Sequence, residues 1–308
     1  MRLCEVPMDS NCTYDFAFLV SCNYSNPNGD PDFDNRPRTN YETEHGEITS
    51  ECIKRKIRDR VVFLNEMNPR KDCDIFIREN KTLNEKMDDA AEALGLSKKK
   101  NDSDTDEKKT KAKNKNADKI NEYMRNHYFD VRTFGAVLST GNNPGGQVTG
   151  AIQLSEMTTP DPVQITTFKH TRKAKTVEKK EDEDKTGSVF SEKPVVVFGL
   201  YKGNGRYSAY YGKQNGVTND DLKLFFKSLV AMFDNDMSAC RTGLVVEKLV
   251  IFKHNDEEST GPMKKYGERL VTDSHYEGDY PQSMEDYNIY VNMENIPDDV
   301  EVFEVDLY

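Results

Sequence analysis

The sequence predicts an α+β fold, in which helices cover one face of a sheet. Apolar residues alternate along Asp15–Asn23, a period typical of a β-strand. Apolar residues recur every three to four positions along Thr218–Asp234, which is typical of an amphipathic helix. The 308 residues are 35% hydrophobic, enough for one large core, and we expect a single domain over residues 1–308.

The first strand is followed by a loop and then by a basic helix. Asn26–Arg38 (NPNGDPDFDNRPR) is rich in Gly, Pro, Asn and Asp, which favours a loop. Thr49 or Ser50 can cap a helix that runs to about Leu64. The apolar stripe of this helix contains Ile53, Ile57, Val61 and Leu64.

The middle of the chain predicts an insertion, a second helix and a glycine-rich turn. The insertion covers residues 65–119, and its part Ser97–Lys119 holds nine Lys against five Asp or Glu. That part has almost no large apolar residues, so we expect it to be flexible. A helix is expected over Asp118–Val131, a turn over Gly135–Gly150 and a strand over Ala151–Ser155.

The second half of the chain predicts a further insertion and then more strands and a helix. Thr158–Lys193 is an irregular segment that begins basic and turns acidic at Glu181–Asp184. A hairpin is expected to turn at Lys202–Gly205. The expected strands are Pro194–Tyr201, Arg206–Tyr211, Val245–His254, Tyr287–Met293 and Val300–Val305. The order strand, helix, strand, hairpin, helix, strand favours a ferredoxin-like core with two insertions.

The distribution of charge matters more than the net charge of −11. Residues 255–308 hold fifteen Asp or Glu and three Lys or Arg, a net of −12, which leaves +1 for the other residues. A nucleic-acid surface is a local patch, so the acidic total does not exclude one. No apolar stretch approaches the roughly 20 residues that span a bilayer, and the N-terminus has no apolar signal core. We therefore expect a cytoplasmic protein with reduced cysteines and no membrane partner.

The strongest binding candidates are the loop Asn26–Arg38 and the helix after it. Asn26 and Asn28 can donate to phosphate oxygens, and Arg36 and Arg38 can pair with phosphates. Near the start of the helix, Lys54, Arg55 and Arg58 add cations where the helix dipole also favours anions. The alternative is a plain surface turn beside a solvated helix face.

Other motifs give no sign of catalysis or of a metal. Asp30, Asp32 and Asp34 resemble the start of a calcium loop, but Asn35 and Tyr41 occupy the positions that need Gly and Glu. The glycine-rich turn lacks the Gly-Lys-Ser/Thr of a phosphate-binding loop. The five histidines form no metal or catalytic motif, and no cofactor is indicated. Met157 and Phe168 flank a basic segment, where apolar side chains can wedge between bases or simply pack.

Three stretches together resemble one protein family. They are Asn23–Arg38 with Thr43–Arg58, Asp130–Ser155 (DVRTFGAVLSTGNNPGGQVTGAIQLS) and Met232–His254 (MFDNDMSACRTGLVVEKLVIFKH). In that order they are similar to the CRISPR-associated backbone subunit of type I Cascade complexes, closest to type I-C. The resemblance implies a ferredoxin-like, RNA-recognition-type (RRM-type) palm with a helical insertion and a projecting thumb at residues 156–193.

The resemblance also implies a function and partners. Copies of such a subunit stack along a CRISPR RNA, kink out a base at intervals and leave the other bases free to pair with a target DNA strand. The implied protein partners are neighbouring copies, a 5′-end capping subunit, and the large and small subunits. No cleavage activity is implied. An endoribonuclease that processes precursor CRISPR RNA is the alternative, and a protein-only scaffold is a third.

Carried onto this sequence, the resemblance gives a set of expected RNA contacts. They are Asn26, Asn28, Arg36, Arg38, Lys54, Arg55, Arg58, Gly145, Gly146, Gln147, Phe168, Lys169, Arg172 and Arg241. Phe168 is the expected wedge in the thumb. Two features depart from the family pattern: the long Lys-rich tract Ser97–Lys119 and the acidic run Glu181–Asp184, which suits a neighbouring copy better than RNA.

Overall fold

The computed structural model describes residues 1–96, 106–172, 189–255 and 261–307. The strands are β1 (Thr13–Ser25), β2 (Gly29–Asp30), β3 (Arg36–Pro37), β4 (His45–Ile48), β5 (Gly135–Leu138), β6 (Gly146–Thr149), β7 (Ile152–Leu154), β8 (Met157–Pro162), β9 (Ile165–Arg172), β10 (Val189–Tyr207), β11 (Leu244–His254), β12 (Leu270–Ser274), β13 (Tyr287–Val291) and β14 (Val300–Val305). The helices are α1 (Ser50–Met67), α2 (Leu83–Ala93), α3 (Asp106–His127), α4 (Phe129–Phe134), α5 (Ala209–Asn215), α6 (Asn219–Val230) and α7 (Met263–Gly267). None of the helices in these ranges is long and apolar enough to cross a membrane.

A central antiparallel sheet organises the molecule. Its order is β14-β11-β1-β10-β8-β4, and β7 and β9 also pair with β10. Strand β1 lies between the two long strands β10 and β11 and is buried on both faces, because Phe16 and Phe18 point one way and Ala17 and Leu19 the other. The predicted combination of a sheet with helices is confirmed.

Helices α1 and α6 cover one face of the sheet. Their apolar stripes, with Ile53 and Ile57 on α1 and Phe225 and Phe226 on α6, join the core around Phe16. Thr49 caps α1 by accepting a hydrogen bond from the Cys52 N–H, as the sequence predicted. Local signals suffice here because a cap and a 3.6-residue stripe are encoded within the helix itself.

The acidic C-terminal region covers the opposite face. Helix α7 and the β12–β13 hairpin supply Tyr266, Leu270 and Tyr287 to a second core cluster. These side chains pack with Phe198 and Phe252 of the sheet, so the face is closed. The described part of the region is therefore an integral layer of the fold, and Glu277, Glu285 and Glu294 are exposed on it.

The helical insertion forms a third cluster of its own. Helices α2 and α3 pack with the β5–β6 hairpin through Met87, Met124, Leu138 and Val148. Helix α3 begins at Asp106, so part of the Lys-rich tract expected to be flexible is helical instead. The remainder of that tract, residues 97–105, lies outside the described residues.

The predicted hairpin at Lys202–Gly205 is wrong, because β10 runs straight through these residues to Tyr207. In the register with β1, Gly203 faces Phe18 and Gly205 faces Phe16. A side chain at either glycine would collide with the phenyl ring opposite. The glycines therefore make room for buried rings on the neighbouring strand rather than form a turn. Residues 209–211, predicted as strand, begin α5.

The segment Thr158–Lys193 is more regular than predicted. Strand β9 pairs with the start of β10 from Arg172 opposite Val189 to Ile165 opposite Val196, which makes an antiparallel arm beyond the main sheet. Residues 173–188, which include the acidic run Glu181–Asp184, lie outside the described residues. The strands predicted at 151–155, 245–254, 287–293 and 300–305 are confirmed as β7, β11, β13 and β14.

Candidate nucleic-acid interface

The loop Asn26–Arg38 is a folded element. Strands β2 and β3 pair within it, and the Asp30 carboxylate caps the turn by accepting from the Asp32 N–H at 3.1 Å. Asp30 also forms an ion pair with Arg38, with Oδ2 and Nη1 3.1 Å apart. The Asp30 carboxylate therefore serves the loop itself.

Asn28 joins this loop to the first turn of α1. Its Oδ1 accepts hydrogen bonds from the Thr49 N–H at 2.9 Å and from the Thr49 hydroxyl at 3.1 Å. The Cys52 thiol lies 3.7 Å from the Pro27 carbonyl oxygen. The loop is therefore held against the N-terminus of α1, where the helix dipole attracts anions.

A third segment, Asp236–Gly243, closes the site. The Asn26 N–H donates to the Cys240 carbonyl at 2.6 Å, and the Asn23 N–H donates to the Gly243 carbonyl at 2.7 Å. Asp236 lies 2.5 Å from Lys56 Nζ on α1 and 3.5 Å from Arg241 Nε. We call residues 26–38, 49–56 and 236–243 together the cradle.

Carboxylates compensate most of the cradle's cations. Arg38 pairs with Asp30, while Lys56 and Arg241 share Asp236. Arg55 pairs with Asp59, at 3.0 Å, and with Glu79, at 3.6 Å. An anionic ligand that binds these groups must compete with their carboxylates.

Two cations of the cradle are uncommitted within the described part of the chain. Arg36 is exposed, and Lys54 is partly exposed; neither forms an ion pair there. Partial burial lowers the pKa of Lys54 from its ordinary value by desolvation. The Nε of Arg38 is buried and has no hydrogen-bond acceptor among the described residues. The Arg36 and Lys54 donors are available to a ligand that carries negatively charged oxygens.

Two expected contact residues are buried, which corrects their predicted exposure. Arg58 is 7% exposed and donates from Nε to the Asp130 Oδ2 at 2.9 Å, with its guanidinium 5.2 Å from the Phe134 ring centre. Asn26 is 5% exposed and donates to the Asn35 carbonyl at 2.8 Å. Both side chains hold the site together from inside because their partners lie in the protein.

The glycine-rich segment lies on the helical insertion. Gly145 and Gly146 lie where the loop of the β5–β6 hairpin enters β6, and the Asn121 amide donates to the Gly145 carbonyl at 2.9 Å. Gly145 leaves little room for a side chain, because a Cβ there would lie 3.0 Å from the Ile120 side chain and 3.3 Å from that of Leu138. Gln147 is exposed on β6. The hydrogen bond ties this predicted surface to α3, whereas the cradle is built on α1.

Phe168 of the β9 arm reaches the end of β1. Its ring lies 6.1 Å from the ring of Tyr24, two residues before the cradle begins at Asn26. Tyr24 was missed by the sequence analysis, although an aromatic residue beside the Asn-Pro-Asn-Gly loop was a visible signal. Lys169 is exposed and lies 3.4 Å from Glu192, while the side chain of Arg172 lies outside the described residues.

One cluster with metal-ligand chemistry occurs in the described ranges, at Asp72, Cys73 and Asp221. Arg132 donates to both carboxylate oxygens of Asp221, at 2.9 and 2.7 Å, and Arg70 lies 3.4 Å from the same group. Two guanidinium groups therefore occupy the place that a cation would need. The cluster acts as an ion-pair network between the insertion and α6.

Comparisons with known proteins add the family. Two solved structures are similar in part: a chain titled "CRISPR RNA-guided surveillance complex, pre-nicking" (TM-score 0.49, 16% identity, covering 81% of this chain and 80% of that chain) and one titled "CRISPR RNA-guided surveillance complex" (0.43, 14%, 86% and 77%). No curated protein matches the sequence. The family model described as "CRISPR-associated protein Cas7" matches residues 12–292. This match spans the whole cradle and every strand of the central sheet except β14, and the chain belongs to the Cas7 family of CRISPR-associated proteins.

Proposed function

We propose that this chain is a CRISPR RNA-binding subunit whose copies assemble along one guide RNA as the backbone of a type I surveillance complex, closest to type I-C. The observation that carries the proposal is the cradle, in a chain of the Cas7 family. Its uncommitted donors, on Arg36 and Lys54, suit phosphate oxygens, which every nucleotide offers regardless of sequence. Binding along a guide of any sequence follows from contacts of this kind.

The proposal includes an RRM-type, ferredoxin-like palm and a thumb. Strands β11, β1, β10 and β7 are neighbours in antiparallel order, and α1 and α6 lie on one face, which supports such a core. The β9–β10 arm supports a thumb within residues 156–193. We propose that residues 1–308 form one domain, with an insertion at 65–119 and an acidic region at 255–308.

The proposed RNA contacts follow from where each side chain lies. Arg36, Arg38, Lys54, Arg55 and Arg241 are proposed to bind phosphates from the cradle. Asn28 is proposed to position the loop, because its side chain is used by Thr49. Contact with RNA is no longer proposed for the side chains of Arg58 and Asn26, since both are buried. Gly145, Gly146, Gln147, Phe168, Lys169 and Arg172 remain proposed contacts outside the cradle.

We propose a binding role without catalysis and without a cofactor. An endoribonuclease needs an acid or base poised beside the RNA. His45 Nδ1 lies 2.6 Å from the Thr159 carbonyl oxygen, His127 stacks on Tyr123, and His254 is fully buried beside Asp15. These three side chains serve the fold, so the ribonuclease alternative is not favoured.

The proposed partners are the guide RNA, the DNA strand that pairs with it, neighbouring copies of this chain, the 5′-end capping subunit, and the large and small subunits. Because these partners meet where foreign DNA is recognised, the proposal places the chain in the cytoplasm.

The proposal is tested by co-expressing the chain with guide RNAs of three lengths and weighing the purified particles by native mass spectrometry. We expect an absorbance maximum near that of nucleic acid and a copy number that rises with guide length. The matched control is Arg36→Glu with Lys54→Glu, which should purify without RNA. A copy number that does not change with guide length would overturn the proposal, and so would specific cleavage of repeat RNA with or without EDTA.

A further inference from the structure

A cavity of about 410 Å³ lies between the central sheet and helix α7. Residues from β8, β10, α7 and β12 line it, among them Thr158, Lys202 and Thr272. Leu200, two residues before Lys202 on β10, packs in the second core cluster, so Lys202 points to the same face of the sheet. The cavity is therefore a gap in the layer that the acidic region forms over this face.

The ammonium group of Lys202 is only partly used by the protein. Its Nζ donates one hydrogen bond, to the carbonyl oxygen of Leu270 at the start of β12. It forms no ion pair with the carboxylates that the structure describes. Glu268, which also lines the cavity, lies 3.7 Å from Lys264 instead. Lys202 therefore keeps two N–H groups for a molecule that enters the cavity.

Partial burial gives Lys202 the chemistry of a nucleophile. Desolvation lowers the pKa of its ammonium group from the ordinary value of a lysine, and Glu268 raises that pKa by a smaller amount. A larger fraction of Lys202 is therefore the neutral amine at neutral pH, and only the neutral amine has the lone pair that attacks an acyl carbon. The neutral amine still has two N–H groups, so one of them can hold the Leu270 carbonyl while the lone pair stays free.

Lys86 is a buried lysine that lacks such a cavity. Burial lowers its pKa as well, but its side chain lies in a residue that is only 2% exposed. Its Nζ donates to the carbonyl oxygens of Ile75 at 3.0 Å, Phe76 at 2.7 Å and Arg78 at 3.5 Å. All three N–H groups of Lys86 are thus held by the backbone, whereas Lys202 is partly exposed beside open space.

We propose that Lys202 is a modification site, whose amine takes an acyl group from a small acyl phosphate that enters the cavity. The amine nitrogen bonds to the acyl carbon, the bond from that carbon to the phosphate oxygen breaks, phosphate leaves with the electron pair, and the spare proton passes to water. Lys264, whose side chain is 83% exposed, supplies a cation for the phosphate. Glu156 and Glu268 balance the two lysines, so the lining has no net charge and suits a small acyl phosphate better than a polyanion such as RNA.

Acylation weakens the attachment of β12 to the sheet. The acylated nitrogen is uncharged, and hydrogen bonds from a charged donor are about twice as strong as neutral ones. The bond to the Leu270 carbonyl therefore weakens, while Arg206, which donates to the Gly261 carbonyl at 2.6 Å, still holds the layer beside α7. We expect β12 to loosen without loss of the fold. The cavity lies on the opposite face of the sheet from α1, so the site is independent of the cradle.

Incubation of the purified full-length chain with acetyl phosphate, followed by peptide mass spectrometry, measures the acylation rate of each lysine. We expect Lys202 to react at least about threefold faster than Lys213, an exposed lysine on α5. Lys86, whose amine is enclosed, should react more slowly than both. In the urea-unfolded chain the three rates should become equal, because burial and the cavity are lost. A Lys202 rate no higher than that of Lys213, or an advantage that survives unfolding, would overturn the modification site.

Hydrogen exchange in β12 tests the consequence of acylation. Lys202→Gln is uncharged like the acylated lysine, so amide exchange over Leu270–Ser274 should rise about threefold or more in this variant and in the acylated chain. Lys202→Arg is the matched control, because it keeps the charge and a donor for Leu270 but offers no amine to acylate. It should show wild-type exchange before and after treatment with acetyl phosphate. Unchanged exchange in the acylated wild-type chain, or a rise in treated Lys202→Arg, would overturn the release of β12.

Discussion

Arg36 and Lys54 are the cradle cations whose charge the described residues leave uncompensated. We expect Arg36→Gln with Lys54→Gln to weaken RNA binding by about tenfold or more at moderate salt. Each lost phosphate contact on a single strand lowers the slope of log K against log salt by about 0.7, so the slope should fall by about 1.4. Fluorescence anisotropy titrations at four salt concentrations measure both quantities. An exposed lysine on α5, changed in Lys213→Gln, is the control and should change neither.

Arg58 leads to a prediction about stability. Arg58→Ala leaves the Asp130 carboxylate, 1% exposed, without its cation, and should lower the free energy of unfolding by about 3–5 kcal/mol. Arg55→Ala is the matched control on the same helix, because its ion pairs are exposed and contribute about 0–1 kcal/mol. Urea unfolding monitored by circular dichroism compares the two. Equal losses would mean that the Asp130 pair is no more important than a surface pair.

The contrast between these two arginines shows how far local sequence reaches. Both lie in the run Lys54–Arg60 and both could be predicted as basic positions on α1. Arg58 differs because Asp130, 72 residues away, folds against it. Likewise, the meeting of loop 26–38 with Asp236–Gly243 depends on β1 and β11 being neighbours in the sheet. Contacts between residues so far apart in the chain cannot be inferred from a single sequence.

At the scale of elements, α1 was predictable and the course of β10 was not. The cap and the apolar stripe of α1 are encoded within the helix. Gly203 and Gly205, in contrast, are required by the rings of Phe18 and Phe16 on a neighbouring strand. Glycine pairs near Lys and Asn are also typical of hairpin turns, so the local pattern favoured the wrong structure. The segment Gly135–Gly150 was expected only as a turn, whereas in the structure β5 and β6 pair with each other within it.

This explanation of β10 predicts a compensating pair of changes. Gly203→Ala should lower the free energy of unfolding by about 1–3 kcal/mol, because the new methyl group meets the Phe18 ring and the Met157 side chain. Adding Phe18→Leu should restore part of that loss, since it removes the colliding ring atoms and leaves only the Met157 contact. Gly261→Ala is the control, because among the described residues its new methyl group would meet only the Lys265 side chain, at an ordinary contact distance of 3.8 Å. If the double variant is less stable than the sum of the two single changes predicts, space for the Phe18 ring is not the reason for glycine at position 203.

At the scale of the whole molecule, charge is separated between two layers. The acidic region, with a net charge of −12, covers the sheet face through Tyr266, Leu270 and Tyr287. The cradle is built from the opposite layer, on α1 and the loops beside it. In RRM domains the exposed sheet face stacks RNA bases. Here that face is closed by protein, so we assign RNA to the loops at the end of β1 instead.

This separation predicts that distant charge has little effect. Glu277, Glu285 and Glu294 are exposed on the acidic region, and changing all three to Gln moves the net charge from −11 to −8. Charges beyond the Debye length of about 8 Å at physiological salt are largely screened. At physiological salt, the RNA affinity of this triple variant should therefore differ from the wild-type affinity by less than about twofold, and it should rise only at low salt.

The variant Arg36→Gln with Lys54→Gln changes net charge by a smaller amount, yet should have a far larger effect, because those two groups would touch the phosphates. Anisotropy titrations of both variants at high and low salt test this directly. A large gain in affinity for the triple variant at physiological salt would place the RNA against the acidic layer and contradict the cradle.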